Sequence, residues 1–149
     1  VQISTVGAIG SMPMFGLYNA SKWALEGFSE ALSTEVAQFG IRVTIAQLGG
    51  FATDWAGSSM PFATPKPEYD DLRTAMFGTT EIPWPTADPD EPSTDADPRL
   101  AADSLVAHLS NPDRPLRVLI GDDARDHAAL AYTARRDSYG QGRDFDWPS

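Results

Sequence analysis

The 149 residues carry 21 acidic against 11 basic side chains, a formal charge of −10. That balance disfavours nucleic acid or another polyanion as partner, because phosphate binding needs clustered Lys and Arg. At 42% hydrophobic the chain can bury the core of one domain, no apolar run reaches the ~20 residues that span a bilayer, and the absence of cysteine excludes disulfides, thiol nucleophiles and thiolate metal sites.

No targeting segment is visible, so the cytoplasm is the expected compartment, with no membrane association. Val1 stands inside an apolar stretch without an initiating Met, and the chain therefore reads as one that has been cut. Val1 to Thr5 alternates apolar and polar residues and predicts the end of a strand. Gly7, Gly10, Pro13 and Gly16 then mark an irregular connection.

From Leu17 to Phe39 the residues Leu25, Phe28, Leu32, Val36 and Phe39 recur at helical spacing, with Glu26, Ser29, Glu30, Ser33 and Glu35 between them. This predicts an amphipathic helix whose apolar stripe serves core packing or an oligomer contact, with Gly40 as its stop. Gly27, unfavourable inside a helix, suggests close approach by another backbone. Tyr18 and Lys22, four residues apart at the start of this helix, share one face. A cation held close to a phenol favours its ionised form, which suits the pair to acid and base work, although the spacing alone is weak evidence.

Ile41 to Gln47 is a β-branched run and Gly49-Gly50 ends it, so strand, helix and strand read as a βαβ unit of a parallel sheet. Ligands of such sheets lie beyond the carboxyl ends of the strands, where Ser4-Thr5, Tyr18 and the 49–53 loop can converge. A short helix is expected from Tyr69. Residues 78–98 hold Pro83, Pro85, Pro89, Pro92 and Pro98 and no basic residue, which predicts an extended, mobile loop. Further on, the pattern predicts a helix from Pro98 through Leu109 with Leu100, Leu105, Val106 and Leu109 inward. A strand at Leu116 to Gly121, a last helix from Asp123 to Arg136, and a polar tail in which Phe145 and Trp147 can dock on a neighbour complete the chain. His108 and His127 lack a paired ligand at metal spacing and read as surface or satisfied histidines, and the Asp122-Asp123 pair as a solvated face.

Tyr18-Asn19-Ala20-Ser21-Lys22 matches the Y-x-A-S-K signature of the short-chain dehydrogenase/reductase family residue for residue. Gly40-Ile41-Arg42-Val43-Thr44 matches that family's helix-to-strand junction, and Leu48-Gly49-Gly50-Phe51-Ala52-Thr53 its P-G-x-x-x-T loop, with Leu48 in place of proline. On these matches, strongest from Val1 to about Met60, the chain resembles the C-terminal half of a single-domain NAD(P)-dependent oxidoreductase. The fold so implied is α/β, a partial Rossmann-like doubly wound parallel sheet running β-α-β-α-β-α, with residues 1–149 forming the C-terminal part of one domain.

The resemblance implies Tyr18 as general acid/base and Lys22 as the cation beside it, which also binds the nicotinamide ribose. Thr5, thirteen residues before Tyr18, takes the place of the serine that bonds the substrate oxygen, with Ser4 as the neighbouring fallback. Gly49, Phe51 and Thr53 would hold the nicotinamide of NAD or NADP. The implied partners are a small carbonyl or alcohol substrate and, in the full-length parent, further copies of the chain in a dimer or tetramer. The family's N-terminal half, with its Gly-rich phosphate loop, has no counterpart in these residues, so the 149-residue fragment is expected to be inactive alone. Two other classes stay open: a non-catalytic remnant acting as a packing module, and a relative of the sugar-nucleotide epimerases.

Overall fold

The computed structural model describes residues 1–56, 60–82 and 95–141. The expectations for 83–94 and for Phe145 and Trp147 lie outside these residues. The chain divides into two compact units, Val1–Phe51 with Asp97–Ser149, and Ala52–Ala96.

The larger unit is α/β. Its three strands, β1 (Gln2–Thr5), β2 (Ile45–Leu48) and β3 (Arg117–Ile120), are parallel and ordered β1-β2-β3. Gln2 pairs with Ile45 and Ile45 with Arg117, and the register continues to Thr5, Leu48 and Ile120. β2 is the middle strand, and Ile45 and Ala46 are fully buried there. Its strand geometry begins at Ile45, later than the β-branched run suggested. Before it, the Arg42 guanidinium donates to the carbonyls of Pro112 and Arg114, so the approaches to β2 and β3 are tied together by a side chain.

Between β1 and β2 runs α1 (Gly16–Val36), followed by a tighter turn at Ala37–Phe39 that Gly40 ends at φ 72°. A left-handed residue of this kind is what glycine supplies without steric cost. The face of α1 that is buried is polar: Asn19, Glu26 and Ser29, at helical spacing. Phe28 is 61% exposed and Phe39 71% exposed, while Leu25, Leu32 and Val36 are half-buried. The apolar stripe therefore does not meet the sheet as a core seam, because a carboxylate at its centre has bonding partners on three strands. Glu26 Oε1 accepts from Ser4 Oγ at 2.7 Å and from Gln47 Nε2 at 2.8 Å, and Glu26 Oε2 accepts from Arg117 Nε at 3.0 Å. Side chains alternate along a strand, so Ser4, Gln47 and Arg117 stand on one sheet face and Thr5 on the other. A buried carboxylate persists only when paired and hydrogen-bonded, and Glu26 meets both conditions. Gly27 is exposed, and a Cβ placed there would meet nothing within 4 Å, so the expected close approach of another backbone is absent at this position among the described residues.

α3 (Pro98–Ser110) starts with Pro98 in its first turn and the Asp97 carboxylate accepting from Arg99 N. Leu105 and Leu109 are half-buried, whereas Leu100 and Val106, expected inward, are exposed. α4 (Asp122–Gly140) buries Ala124 and Ala128, small residues that permit close packing.

The smaller unit contains turns at Asp54–Ala56 and Pro67–Tyr69 and the helix α2 (Asp70–Phe77), which Gly78 ends at φ 72°. Among its described residues Arg73 is buried; it donates to the carbonyls of Lys66 and Thr80 and pairs with the Asp70 carboxylate. Among the described residues no helix is long and apolar enough to cross a membrane.

Candidate active site

Thr5 closes β1 and its side chain caps the turn Val6–Ala8: Thr5 Oγ1 accepts from Gly7 N at 3.3 Å. A hydroxyl has two lone pairs and one proton, so the cap leaves a proton to donate onward. Ser4 is turned to the opposite face and donates to Glu26 of α1, so it does not share the place of Thr5.

Tyr18 and Lys22 lie in the first turns of α1, as their spacing predicts. The Lys22 ammonium stands 5.9 Å from the centre of the Tyr18 ring and donates to the Ile3 carbonyl across 2.9 Å. One of its three N–H bonds is thus spent on β1, two residues before Thr5, and the ammonium has two more with which to hold hydroxyl oxygens. Both side chains are half-buried. The Tyr18 ring meets Phe15 edge-on at 6.4 Å. Between them in sequence, Asn19 points inward: Nδ2 donates to Met12 O at 3.0 Å, and Oδ1 stands 2.8 Å from where a Cβ of Gly7 would be. Gly7 must lack a side chain for Asn19 to fit. Met14, between Thr5 and α1, adopts φ 69°, a left-handed conformation that a non-glycine residue takes only where its surroundings impose it.

The loop after β2 carries the other predicted residues. Gly49 N donates to Ile120 O at 2.9 Å, and Gly50 N donates to Asp123 Oδ2 at 3.0 Å. A Cβ on Gly49 would come within 2.0 Å of Asp123 Oδ1, so the acid in the first turn of α4 fills the space that glycine leaves. Asp122 and Asp123 are both exposed, as a solvated face predicts; Asp123 in addition binds the loop it faces, and nothing in the spacing of residues 73 apart announces that. Phe51 is half-buried in the same unit. Thr53 belongs to the smaller unit, where its Oγ1 accepts from Trp55 N at 3.4 Å. Within the larger unit, Thr5 ends β1, Tyr18 and Lys22 stand in the first turns of α1, and Lys22 binds β1 two residues before Thr5.

Neither histidine joins this group: His108 Nε2 lies 3.1 Å from Pro115 O and His127 Nε2 lies 2.9 Å from Gly10 O. Among the described residues no group of three or more His, Cys, Asp or Glu is placed to hold a metal ion.

Residues 1–62 match the family model of the short chain dehydrogenases. An oxidoreductase of Botryotinia fuckeliana is 36% identical over 130 residues, covering 87% of this chain and 45% of that protein. A 3-ketodihydrosphingosine reductase of Bacteroides thetaiotaomicron is 47% identical over 53 residues, covering 36% of this chain and 20% of the relative. The crystal structure of a short-chain dehydrogenase from Streptomyces avermitilis superposes with a TM-score of 0.69 at 31% identity, covering 93% of this chain and 48% of that one. The chain thus spans less than half the length of these proteins. Its family model over residues 1–62, its oxidoreductase relatives and its parallel α/β sheet together support a member of the short-chain dehydrogenase/reductase family.

Proposed function

We propose that these residues form the proton-transfer half of an NAD(P)(H)-dependent oxidoreductase that interconverts a carbonyl and a secondary alcohol. The observation that carries the reading is the Lys22 ammonium, tied to β1 at Ile3 O and set beside the Tyr18 ring one turn away.

Tyr18 gives its phenolic proton to the carbonyl oxygen as the alcohol forms and takes it back in the reverse direction. Thr5, its Oγ1 fixed by Gly7 N, donates its hydroxyl proton to the same oxygen and orients it. Lys22 sets its positive charge beside the Tyr18 ring, 5.9 Å from the ring centre. The donor set suits a nicotinamide nucleotide: the two further N–H bonds of Lys22 match ribose hydroxyls. The nicotinamide, when bound, supplies or accepts the hydride at the substrate carbon. Gly49 and Phe51 of the larger unit would hold its carboxamide side. The relatives, oxidoreductases and a reductase of a keto compound, support a carbonyl substrate.

The 149 residues alone have no Gly-rich phosphate loop, and in the three-stranded sheet β1 is an edge with Val1 and Ile3 exposed. We therefore assign the activity to a polypeptide that also carries dinucleotide-binding strands, and expect the exposed Leu17 and Phe28 of α1 to serve contact between copies. The test is isotopic. The protein encoded by its complete reading frame is incubated with ketones and NADH or NADPH deuterated at the nicotinamide C4. Deuterium on the carbinol carbon of the product is the expected result; oxidation of the cofactor without label in any alcohol would exclude it.

A further inference from the structure

The segment from Val6 to Gly10, which follows Thr5, is held by side chains from two helices. Val6, Gly7, Ala8 and Ile9 are all buried, which is unusual for a connection, since buried carbonyls need partners. Three carbonyls of the segment, those of the buried Gly7 and Ile9 and of the half-buried Gly10, meet side chains. Gly7 O accepts from Trp23 Nε1 of α1 at 3.2 Å, Ile9 O from Arg135 Nη2 of α4 at 2.6 Å, and Gly10 O from His127 Nε2 of α4 at 2.9 Å. A carbonyl oxygen can only accept, so the Nε2 of His127 carries the proton. The Arg135 guanidinium carbon also stands 4.6 Å from the Trp23 ring centre, so the two clamping side chains brace each other. His127, Ala131 and Arg135 are four residues apart in turn and form one stripe of α4. A Cβ on Gly10 would come within 2.6 Å of the Ala131 Cβ, so the small residue in the stripe lets the loop backbone touch the helix.

We infer that Trp23, His127 and Arg135 are positioning residues for the substrate side of the site. Resting on the reading that Thr5 and Tyr18 handle the substrate oxygen, the inference follows from what the clamped loop touches. Gly7, whose carbonyl is gripped by Trp23, donates its own N–H to Thr5 Oγ1 and packs on Asn19, the neighbour of Tyr18. Loosening the loop therefore frees the Thr5 hydroxyl to rotate. Lys22, bound to Ile3 O, and the Gly49-Gly50 backbone, bound to Ile120 and Asp123, are secured by other contacts. The clamp acts on the carbonyl substrate and leaves cofactor affinity alone.

The test uses the protein encoded by its complete reading frame, with Arg135→Ala, His127→Ala, His127→Gln and Trp23→Phe, the last keeping a ring while removing the donor. Amide hydrogen exchange in residues 6–12 should rise about tenfold or more in Arg135→Ala and Trp23→Phe, as loss of a hydrogen bond implies. In steady-state kinetics, kcat/KM for a ketone should fall about ten- to a hundredfold with the KM for NAD(P)H within about twofold, and His127→Gln, which restores an N–H donor, should recover most of what His127→Ala loses. Unchanged exchange in both Arg135→Ala and Trp23→Phe would overturn the clamp. Faster exchange with an unaltered ketone kcat/KM, or with a raised cofactor KM instead, would overturn its substrate role. A wild-type protein that reduces no carbonyl would instead sink the catalytic reading, while the exchange data would still decide the clamp.

Discussion

Lys22 Nζ donates to the backbone carbonyl of Ile3 across 2.9 Å, so the cation of the signature pair is anchored to the strand that ends in Thr5. That bond ties α1 to β1 at the place where proton transfer is proposed. The predictions below concern the protein encoded by its complete reading frame.

Replacing Lys22 by methionine keeps the length of the side chain and its packing but removes the charge and the donor to Ile3. The kcat/KM for ketone reduction should drop about a hundredfold or more, in line with losing a group that tunes general acid catalysis, with the KM for NAD(P)H rising as well. Steady-state kinetics with both substrates varied checks this, and a Lys22→Met protein of unchanged cofactor KM would dissociate Lys22 from the ribose.

Glu26 is 8% exposed and joins Ser4, Gln47 and Arg117. Glu26→Ala leaves two buried donors and a guanidinium without their acceptor and should cost about 2–4 kcal/mol in urea unfolding. Glu30→Gln, at the exposed end of the same cluster, should cost less than about 1 kcal/mol. Burial works against the Arg117 charge, but its bonds and attraction to Glu30 and Glu26 outweigh this and hold its pKa above the ordinary arginine value. A raised folded-state value contributes stability that is complete below the unfolded value and lost as pH rises through the folded one. The arginine side of this cluster is therefore silent in a stability profile between neutrality and pH values short of the arginine range.

Much of the framework was legible. Alternation in Val1 to Thr5, the helical recurrence before Gly40, the β-branched run and Leu116 to Gly121 gave three strands and α1 in order, and Tyr18, Lys22 and the 49–53 loop gave the family. What was not legible is which face of α1 is inside. Periodicity marks apolar residues, and it cannot see that Ser4, Gln47 and Arg117 converge on Glu26 from three strands. The same blindness hid Asp123 behind Gly49, the carbonyl partners of Arg73 and the His127–Arg135 stripe, all of which depend on backbone atoms brought together by the fold.

Gly27 is a place where the outcome reverses the expectation. Because a Cβ there meets nothing within 4 Å and the position lies inside a regular helix, Gly27→Ala should stabilise the protein by about 0.5–1 kcal/mol. A urea midpoint that falls would show that this surface is covered by another molecule.

Gly49 should behave in the opposite way. The added methyl of Gly49→Ala meets the Asp123 carboxylate and should cost about 1–3 kcal/mol in unfolding free energy. In the double variant with Asp123→Ala the clash disappears, so the two effects should be non-additive by about 1 kcal/mol or more in a thermodynamic cycle. Strict additivity would mean that Asp123 does not occupy the space above Gly49.

The central claim is that Tyr18 passes the proton, and Tyr18→Phe tests it by removing one oxygen from a half-buried ring while keeping its contact with Phe15. Ketone-dependent oxidation of NAD(P)H, followed at the cofactor's absorbance, should fall at least about a hundredfold in kcat with the folded state and the cofactor KM preserved. A Tyr18→Phe protein that reduces the same ketone within about threefold of the wild-type rate would contradict the account.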